Sequence, residues 1–157
     1  MMSLVAELSD KRLKYKITHR KSIMDRFSDV QGSQRTIDRK YFSQLWESYT
    51  WAAIIGFIND KKVPLGSGGT DNAFKFSVIY NNGGELADAL ILLALSKSRK
   101  DYKALIDADE IIKVIEEYAN GGFEIIQSKL REDDSYFNNP DAFIEELLER
   151  EEVINLK

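Results

Sequence analysis

The sequence predicts a mainly α-helical fold, a single compact domain of about five helices with one small β hairpin or strand. Several stretches repeat apolar residues at helical spacing, whereas residues 73–80 alternate apolar and polar side chains as a strand does. Pro64 and three glycines interrupt residues 61–72. With 157 residues, 43% of them hydrophobic, the chain is long enough to bury one core.

The chain is expected to begin with a basic arm, residues 1–35, followed by a mainly helical domain, residues 36–157. Residues 11–20 alternate basic and apolar side chains, which is typical of either a short strand or an extended arm. Residues 28–33, around Gly32, are predicted to form a loop.

The strongest helical pattern covers residues 36–59. Thr36 is suited to cap the start of this helix, and Asn59 and Asp60 are suited to end it. Two Trp, two Tyr and two Phe fall within it, so we expect it to form the centre of the core. Any aromatic surface left uncovered would favour self-association, which makes a homo-oligomer a further expectation.

Two more helices are predicted, one on each side of residues 107–130. Residues 85–97, after a turn at 81–84, are apolar nearly all round and are therefore expected to be buried. Residues 141–152 form the last predicted helix, with Asn139 as its N-cap and proline at its first position.

The segment between them is predicted to form two helices that meet at a corner. The first covers residues 107–120, with Asp107 or Asp109 as its cap. Asn120 and the two glycines that follow tolerate a left-handed C-cap, so the helix is expected to end there. Helical spacing resumes over residues 123–130.

Composition narrows the possible chemistry. The chain has no cysteine and one histidine, His19, which excludes disulfides, thiolate zinc sites, iron–sulfur clusters, cysteine nucleophiles and histidine metal clusters. The longest apolar run, residues 86–95, contains Asp88 and is half of what a bilayer requires. No signal peptide is recognisable, so a soluble cytoplasmic protein without membrane contact is expected.

Three patterns resemble catalytic or ligand motifs without completing them. Residues 66–70 resemble half of a phosphate-binding loop, but no Lys and no helix follow, which favours a surface loop. Asp107, Asp109 and Glu110 are able to hold Mg²⁺, yet the same residues suit a helix N-terminus, and capping is favoured. The acidic pair and Lys of a restriction-type nuclease have no counterpart after Pro140. We therefore predict no catalytic residue, metal site or cofactor.

Arg12 and His19 match the loose R-x₄₋₆-H spacing of helical ribonucleases. In those proteins the pair sits in a folded helical hairpin. Here it falls in a segment so rich in Arg that a chance match is expected. A solvated histidine in a cationic arm is the favoured interpretation.

Charge is distributed unevenly. Residues 11–40 carry ten Lys and Arg against three acids, whereas residues 107–157 carry fifteen acids against five bases. Such asymmetry indicates a polyanion-binding arm or charge-complementary assembly, although two solvated surfaces would give the same composition. The candidate DNA-binding residues are the ten cations, with Tyr15 and Phe27 interleaved as stacking surfaces. They are Lys11, Arg12, Lys14, Lys16, Arg20, Lys21, Arg26, Arg35, Arg39 and Lys40.

Much of the chain resembles a known family. The similarity lies in residues 45–57, 63–65, 74–76, 89–95 and 116–130, and its most specific part is the run EYANGG at residues 117–122. These stretches resemble the Dnd system-associated protein 4 family, over about residues 37–131. The resemblance implies bacterial gene clusters for DNA phosphorothioation, in which sulfur replaces a backbone oxygen, and the linked restriction of unmodified DNA.

The family supplies no catalytic residues to carry over, and the basic arm lies outside the resemblance. The family motif falls on Tyr118, Asn120, Gly121 and Gly122. Two glycines after Asn would let one helix stop and another begin at a sharp angle, so the motif is interpreted as structural.

Together these observations predict a non-enzymatic accessory protein of a DNA modification and restriction defence system. It would bind DNA through its basic segment, bridge other proteins of the defence cluster, or do both. Two alternatives stay open: a protein-only adaptor without DNA contact, and a metal-dependent nuclease subunit.

Overall fold

The structure is a computed structural model of the chain and describes residues 3–29, 41–97, 107–139, 141–142 and 145. The predicted mainly helical fold with one small β element is confirmed. The α-helices are α1 (Leu4–Asp10), α2 (Ile17–His19), α3 (Asp25–Phe27), α4 (Leu45–Ile58), α5 (Phe76–Asn82), α6 (Gly84–Lys97) and α7 (Ala108–Glu132). A π-helical turn, Arg20–Met24, joins α2 to α3, and a 3₁₀ turn, Tyr136–Asn138, follows α7.

Helix α4 forms the centre of the core, as predicted, with ten of its fourteen residues buried. It ends as predicted, because Asn59 is its C-cap and Asp60 takes a left-handed φ of 50°. Trp46, Trp51 and Phe57 are each at most 8% exposed, so α4 leaves little aromatic surface uncovered. That surface was the reason to expect self-association, which stays a prediction.

The predicted start of this helix at Thr36 is wrong for the part that the structure describes. Thr36 itself lies outside the described residues, but 41–44 are not helical and α4 begins at Leu45. The backbone of Phe42 is engaged elsewhere, since its N–H donates to Phe27 O at 3.0 Å and its carbonyl accepts from Asp29 N at 2.7 Å. At Phe42, pairing with Phe27 and Asp29 therefore takes the place of helical hydrogen bonds.

Helix α7 contradicts the predicted corner at residues 120–122. It runs without interruption through Asn120, Gly121 and Gly122, so the two predicted helices 107–120 and 123–130 are one. The glycines serve a close approach of backbones instead of a C-cap. A Cβ on Gly122 would lie 1.7 Å from Ala52 O, and a Cβ on Gly56 would lie 1.8 Å from Tyr118 O. Helices α4 and α7 thus cross with no side chain between them.

The small sheet also differs from the prediction. Residues 73–80 were expected to form a strand, but this stretch holds most of α5. The sheet pairs β1 (Tyr15–Lys16) with β2 (Thr70–Asp71) in antiparallel register. Phe76 and Ile79 are fully buried three residues apart, so the helical period is the one that the core uses.

The first described residues pack into the core. We call residues 11–29 the N-terminal segment. Of the two interpretations given for residues 11–20, a strand is present at β1 and a helix begins directly after it at Ile17. Five apolar side chains of the segment are at most 1% exposed, whereas Ile17 is 40% exposed. The five are Leu13, Tyr15, Ile23, Met24 and Phe27.

Helix α6 confirms the predicted helix at 85–97, but only one of its faces is buried. Ala87, Leu90 and Ala94 face the core, whereas Leu92 is 65% exposed. Asn139 acts as the predicted N-cap, because its Oδ1 accepts from Asp141 N at 3.0 Å; most of the helix predicted beyond it lies outside the described residues. Within the described ranges, no helix has the length and apolar character needed to cross a membrane.

Candidate functional site

The structure describes seven of the ten candidate DNA-binding cations; Arg35, Arg39 and Lys40 lie outside the described residues. Four of the seven already have protein partners. Lys11 Nζ lies 2.7 Å from Asp109 Oδ1, Arg20 contacts Asp25 and Asp71 at 3.2 and 2.8 Å, and Arg26 Nη1 lies 3.0 Å from Asp134 Oδ1. Arg12 Nη1 donates to the Asn72 carbonyl at 2.9 Å.

These contacts show that the N-terminal segment lies along α7. Lys11 meets the first turn of α7, Ser22 Oγ donates to Gln127 Oε1 at 2.8 Å, and Arg26 meets Asp134 just beyond its end. Part of the charge asymmetry seen in the sequence is therefore satisfied within the molecule, basic segment against acidic helix. The acids of these pairs are largely exposed, so each pair contributes little to stability.

Three cations of the segment reach solvent, Lys14 and Lys21 as exposed side chains and Lys16 as a partly buried one, and we call these three the open lysines. None has an ion-pair partner within the described parts of the chain. Tyr15 points into the core between Lys14 and Lys16, because side chains alternate along an extended backbone. The Lys14 N–H donates to Glu116 Oε2 at 2.6 Å, which fixes this part of the backbone on α7.

Glu116 is a half-buried carboxylate held by that contact. Burial raises the pKa of Glu116 above 4.5, and the Lys14 N–H and the Lys14 charge counteract the rise. The hydroxyl of Tyr49 lies 3.5 Å from Lys14 O, and complete burial raises the pKa of Tyr49 well above 10. The sequence did not predict the contact between Lys14 and Glu116, because the two residues are about a hundred positions apart.

His19 is not solvated, so the favoured interpretation of this residue was wrong. It is 7% exposed, and its ring stacks on Phe123 with centroids 5.1 Å apart. Its Nε2 lies 3.0 Å from Asn120 Oδ1, while Asn120 Nδ2 donates to the carbonyls of Val63 and Pro64. Since Oδ1 must then accept, His19 donates from Nε2.

Burial is the main reason that the pKa of His19 falls below 6.5. The hydrogen bond to Asn120 and the charge of Glu124 oppose this shift, whereas the charges of Lys16 and Arg131 add to it. Arg131 is an exposed cation within the acidic region, residues 107–157.

The structure gives Arg12 and His19 separate partners. Arg12 bonds to the Asn72 carbonyl and pairs with Lys75 in an isolated β-bridge, whereas His19 bonds to Asn120. The spacing that matches helical ribonucleases therefore does not produce a shared contact here.

The four residues of the family motif tie the chain after α4 onto α7. Tyr118 stacks on Phe57 with centroids 4.3 Å apart, and its hydroxyl donates to Asp60 Oδ1 at 2.8 Å. Burial, followed by Asp60, raises the pKa of Tyr118 to about 12. Asn120 holds the two carbonyls of the 63–64 turn. A Cβ on Gly121 would lie 1.8 Å from Lys61 O, and Gly122 lies at the crossing of α4 and α7.

The remaining motifs take the places that their local chemistry favours. Asp107 Oδ1 accepts from Asp109 N at 3.0 Å, so the predicted cap of α7 is confirmed. Gly66, Gly68 and Gly69 are exposed, as expected of a surface loop. Among the residues that the structure describes, no group of three or more His, Asp or Glu is placed to hold a metal ion.

A groove of about 290 Å³ opens beside the start of α4. Its lining residues come from three distant parts of the chain, which is why no sequence pattern indicated it. They are Asp29, Ser43, Gln44, Leu45, Trp46, Ala73, Phe74 and Val78.

Comparison with known proteins gives one match. The family model described as DNA sulphur modification system-associated protein 4 matches residues 28–153. It begins after the open lysines, which therefore lie outside the matched region. No curated protein and no solved structure matches the chain.

Proposed function

We propose that this chain, which belongs to the DNA sulphur modification system-associated protein 4 family and is thereby associated with such a system, works there as a non-enzymatic docking protein. It would contact DNA phosphates through the open lysines and would bind a partner protein of the same system. The observation that carries the DNA contact is the division of the cations into paired and open ones.

An open lysine meets a phosphate more readily than a paired one. Lys11, Arg20 and Arg26 must give up a carboxylate before they bind another anion. No described carboxylate lies within ion-pair distance of Lys14, Lys16 or Lys21, although Glu116 attracts Lys14 at longer range. Lysine contacts phosphate as a point charge, so we expect affinity without marked base preference.

Two features favour docking over catalysis. The single histidine uses Nε2 to hold Asn120, and Arg12 is engaged with a backbone carbonyl elsewhere. At the start of α7, Asp107 caps the helix and Asp109 binds Lys11. These polar groups have structural partners, which leaves them poorly placed to activate a nucleophile.

The protein-only adaptor is the second candidate. It is favoured by the ion pairs between the N-terminal segment and the region of α7, which neutralise part of the charge that suggested DNA binding. The two candidates make opposite predictions for a salt titration.

Binding of a fluorescent DNA duplex, measured by anisotropy at several salt concentrations, tests the proposal. The variant K14Q/K16Q/K21Q removes the open lysines. The matched control K11Q/K62Q/K75Q removes three lysines that each lie within ion-pair distance of an acid. We expect the first variant to reduce the slope of log K against log salt by about 2 to 3, since each phosphate contact contributes about 0.9. The control should change it by less than about 1.

Equal losses in the two variants would contradict the assignment to the open lysines. Absence of binding by the unaltered chain at low salt would leave the protein-only adaptor. Cleavage of modified or unmodified DNA that requires Mg²⁺ or Mn²⁺ and stops with EDTA would overturn the non-enzymatic role.

A further inference from the structure

The groove at the start of α4 belongs neither to the open lysines nor to the family motif. We propose that it binds one large apolar side chain of a partner protein, presented next to a Lys or Arg. This inference rests on the partner-binding part of the proposed function. It does not depend on DNA binding, so an experiment that contradicts one of these two proposals leaves the other standing.

The shape and lining of the groove favour a single side chain. Leu45, Trp46, Phe74 and Val78 provide apolar walls, and the volume of about 290 Å³ lies at the small end for ligand pockets. Trp46 and Phe74 are 8% and 7% exposed, so only a small part of each side chain meets solvent. We call these two rings the floor of the groove. An aromatic or long aliphatic side chain suits such a site because it buries much area with few rotatable bonds.

The floor is already in place before a partner arrives. Trp46 Nε1 donates to Gln44 Oε1 at 2.9 Å, which fixes the indole ring from the rim. From behind, Gly83 lies so close that a Cβ there would be 3.1 Å from the Trp46 ring. A preformed surface loses little conformational freedom on binding, so even a small contact contributes affinity.

Charge at the rim selects the neighbouring residue of the partner. Asp29 is the one charged side chain among the described lining residues, and it is exposed. Its carboxylate has no ion-pair or hydrogen-bond partner in the part of the chain that the structure describes. A Lys or Arg next to the apolar anchor would therefore be attracted, and an acid in that place would be repelled.

Three blocked tetrapeptides separate these two contributions. Ala-Phe-Arg-Ala carries anchor and charge, Ala-Phe-Glu-Ala reverses the charge, and Ala-Ala-Arg-Ala removes the anchor. The readout is the NMR signal of the Trp46 indole N–H, which lies at the groove. We expect Ala-Phe-Arg-Ala to shift this signal saturably, Ala-Phe-Glu-Ala to bind at least about fivefold more weakly, and Ala-Ala-Arg-Ala not to saturate.

Two variants of the chain test the same assignment from the protein side. Ala73 is exposed at the groove, so A73F fills the groove without removing a core residue, and it should abolish the shift. A6F adds the same ring at an exposed alanine of α1 and should leave binding unchanged. D29N should reduce the difference between the Arg and Glu peptides to below about twofold, whereas E85Q on α6 should preserve it.

Three results would overturn the proposal. In the first, all three peptides shift the Trp46 signal equally. In the second, A73F retains the backbone spectrum of the unaltered chain and still binds. In the third, the signal shifts with protein concentration alone, because the occupant would then be a second copy of the chain.

Discussion

The N-terminal segment is the more charged region and helix α6 the more apolar one, yet the apolar residues of the segment are the more deeply buried. The segment is dense in Lys and Arg, yet Phe27 and four other apolar side chains in it are at most 1% exposed. Helix α6 is rich in leucine, yet it buries only Ala87, Leu90 and Ala94 and leaves Leu92 65% exposed. The numbers of charged and apolar residues in the two regions therefore do not indicate which of them is buried.

The pattern of apolar residues explains the difference better than their number. In the N-terminal segment all of them except Ile17 recur on the side that faces the core, and the cations between them reach water on long stems. In α6 the leucines point in all directions, and α4, α5 and α7 contact only one side of the helix. A core admits one face of such a helix, whatever the other face contains.

The comparison predicts its largest effect for core truncation. Phe27→Ala should lower the free energy of unfolding by about 3–5 kcal/mol, because it opens a cavity among aromatic rings. Leu92→Ala should change it by less than about 0.5 kcal/mol, because the side chain is mostly in water. Urea unfolding measures both. A loss for Phe27→Ala as small as that for Leu92→Ala would show that the segment is not part of the core.

A smaller effect is expected for the polar contact between the segment and α7. Asn120→Ala removes the acceptor of His19 Nε2 and the donor to two carbonyls, and it should cost roughly 1–3 kcal/mol. Asn82→Ala removes one exposed contact, to Val78 O, and should cost less than about 0.5 kcal/mol. The same unfolding measurement decides, and a harmless Asn120→Ala would mean that His19 is held by packing alone.

The smallest effect concerns pH. The folded pKa of His19 lies below 6.5, so the unfolded chain binds more protons and stability decreases as the pH falls from 6.5 toward the folded pKa. Glu116 acts in the opposite direction, because its raised pKa makes the folded chain take up a proton first as the pH falls. His19→Gln should remove the loss below pH 6.5 that unfolding curves between pH 8 and 5.5 would show. An unchanged loss in that variant would assign it to another group.

Local signals predicted several elements of the fold correctly. Helical spacing placed α4, α6 and the first half of α7, and cap chemistry placed the end of α4 at Asn59 and the start of α7 after Asp107. The two glycines of α7 were misjudged because Gly favours a helix end locally, and only the approach of Ala52 makes it necessary inside a helix. Residues 73–80 fit both periods, and burial of Phe76 and Ile79 decided between them.

The sequence predicted the cations of the candidate site but not the residues that they contact. Composition identified the cations, but it did not show which of them meet acids, because Lys11 and Asp109 are about a hundred residues apart. His19 was misjudged for the same reason, since Asn120 and Phe123 come from the other end of the chain. The groove beside Trp46 joins three separate stretches and has no sequence pattern at all.

The crossing of α4 and α7 has a consequence for the two proposed contact surfaces. The Lys14 N–H donates to Glu116 on α7, and the groove begins at the first turn of α4. Because Gly56 and Gly122 bring the two backbones into direct contact, no rotamer change at the crossing is available to alter the distance between these surfaces. For a target that occupies both surfaces at once, binding to the first raises the effective concentration at the second, but only if the spacing of the target matches the distance between them. The crossing would therefore select targets by the distance between their two binding groups.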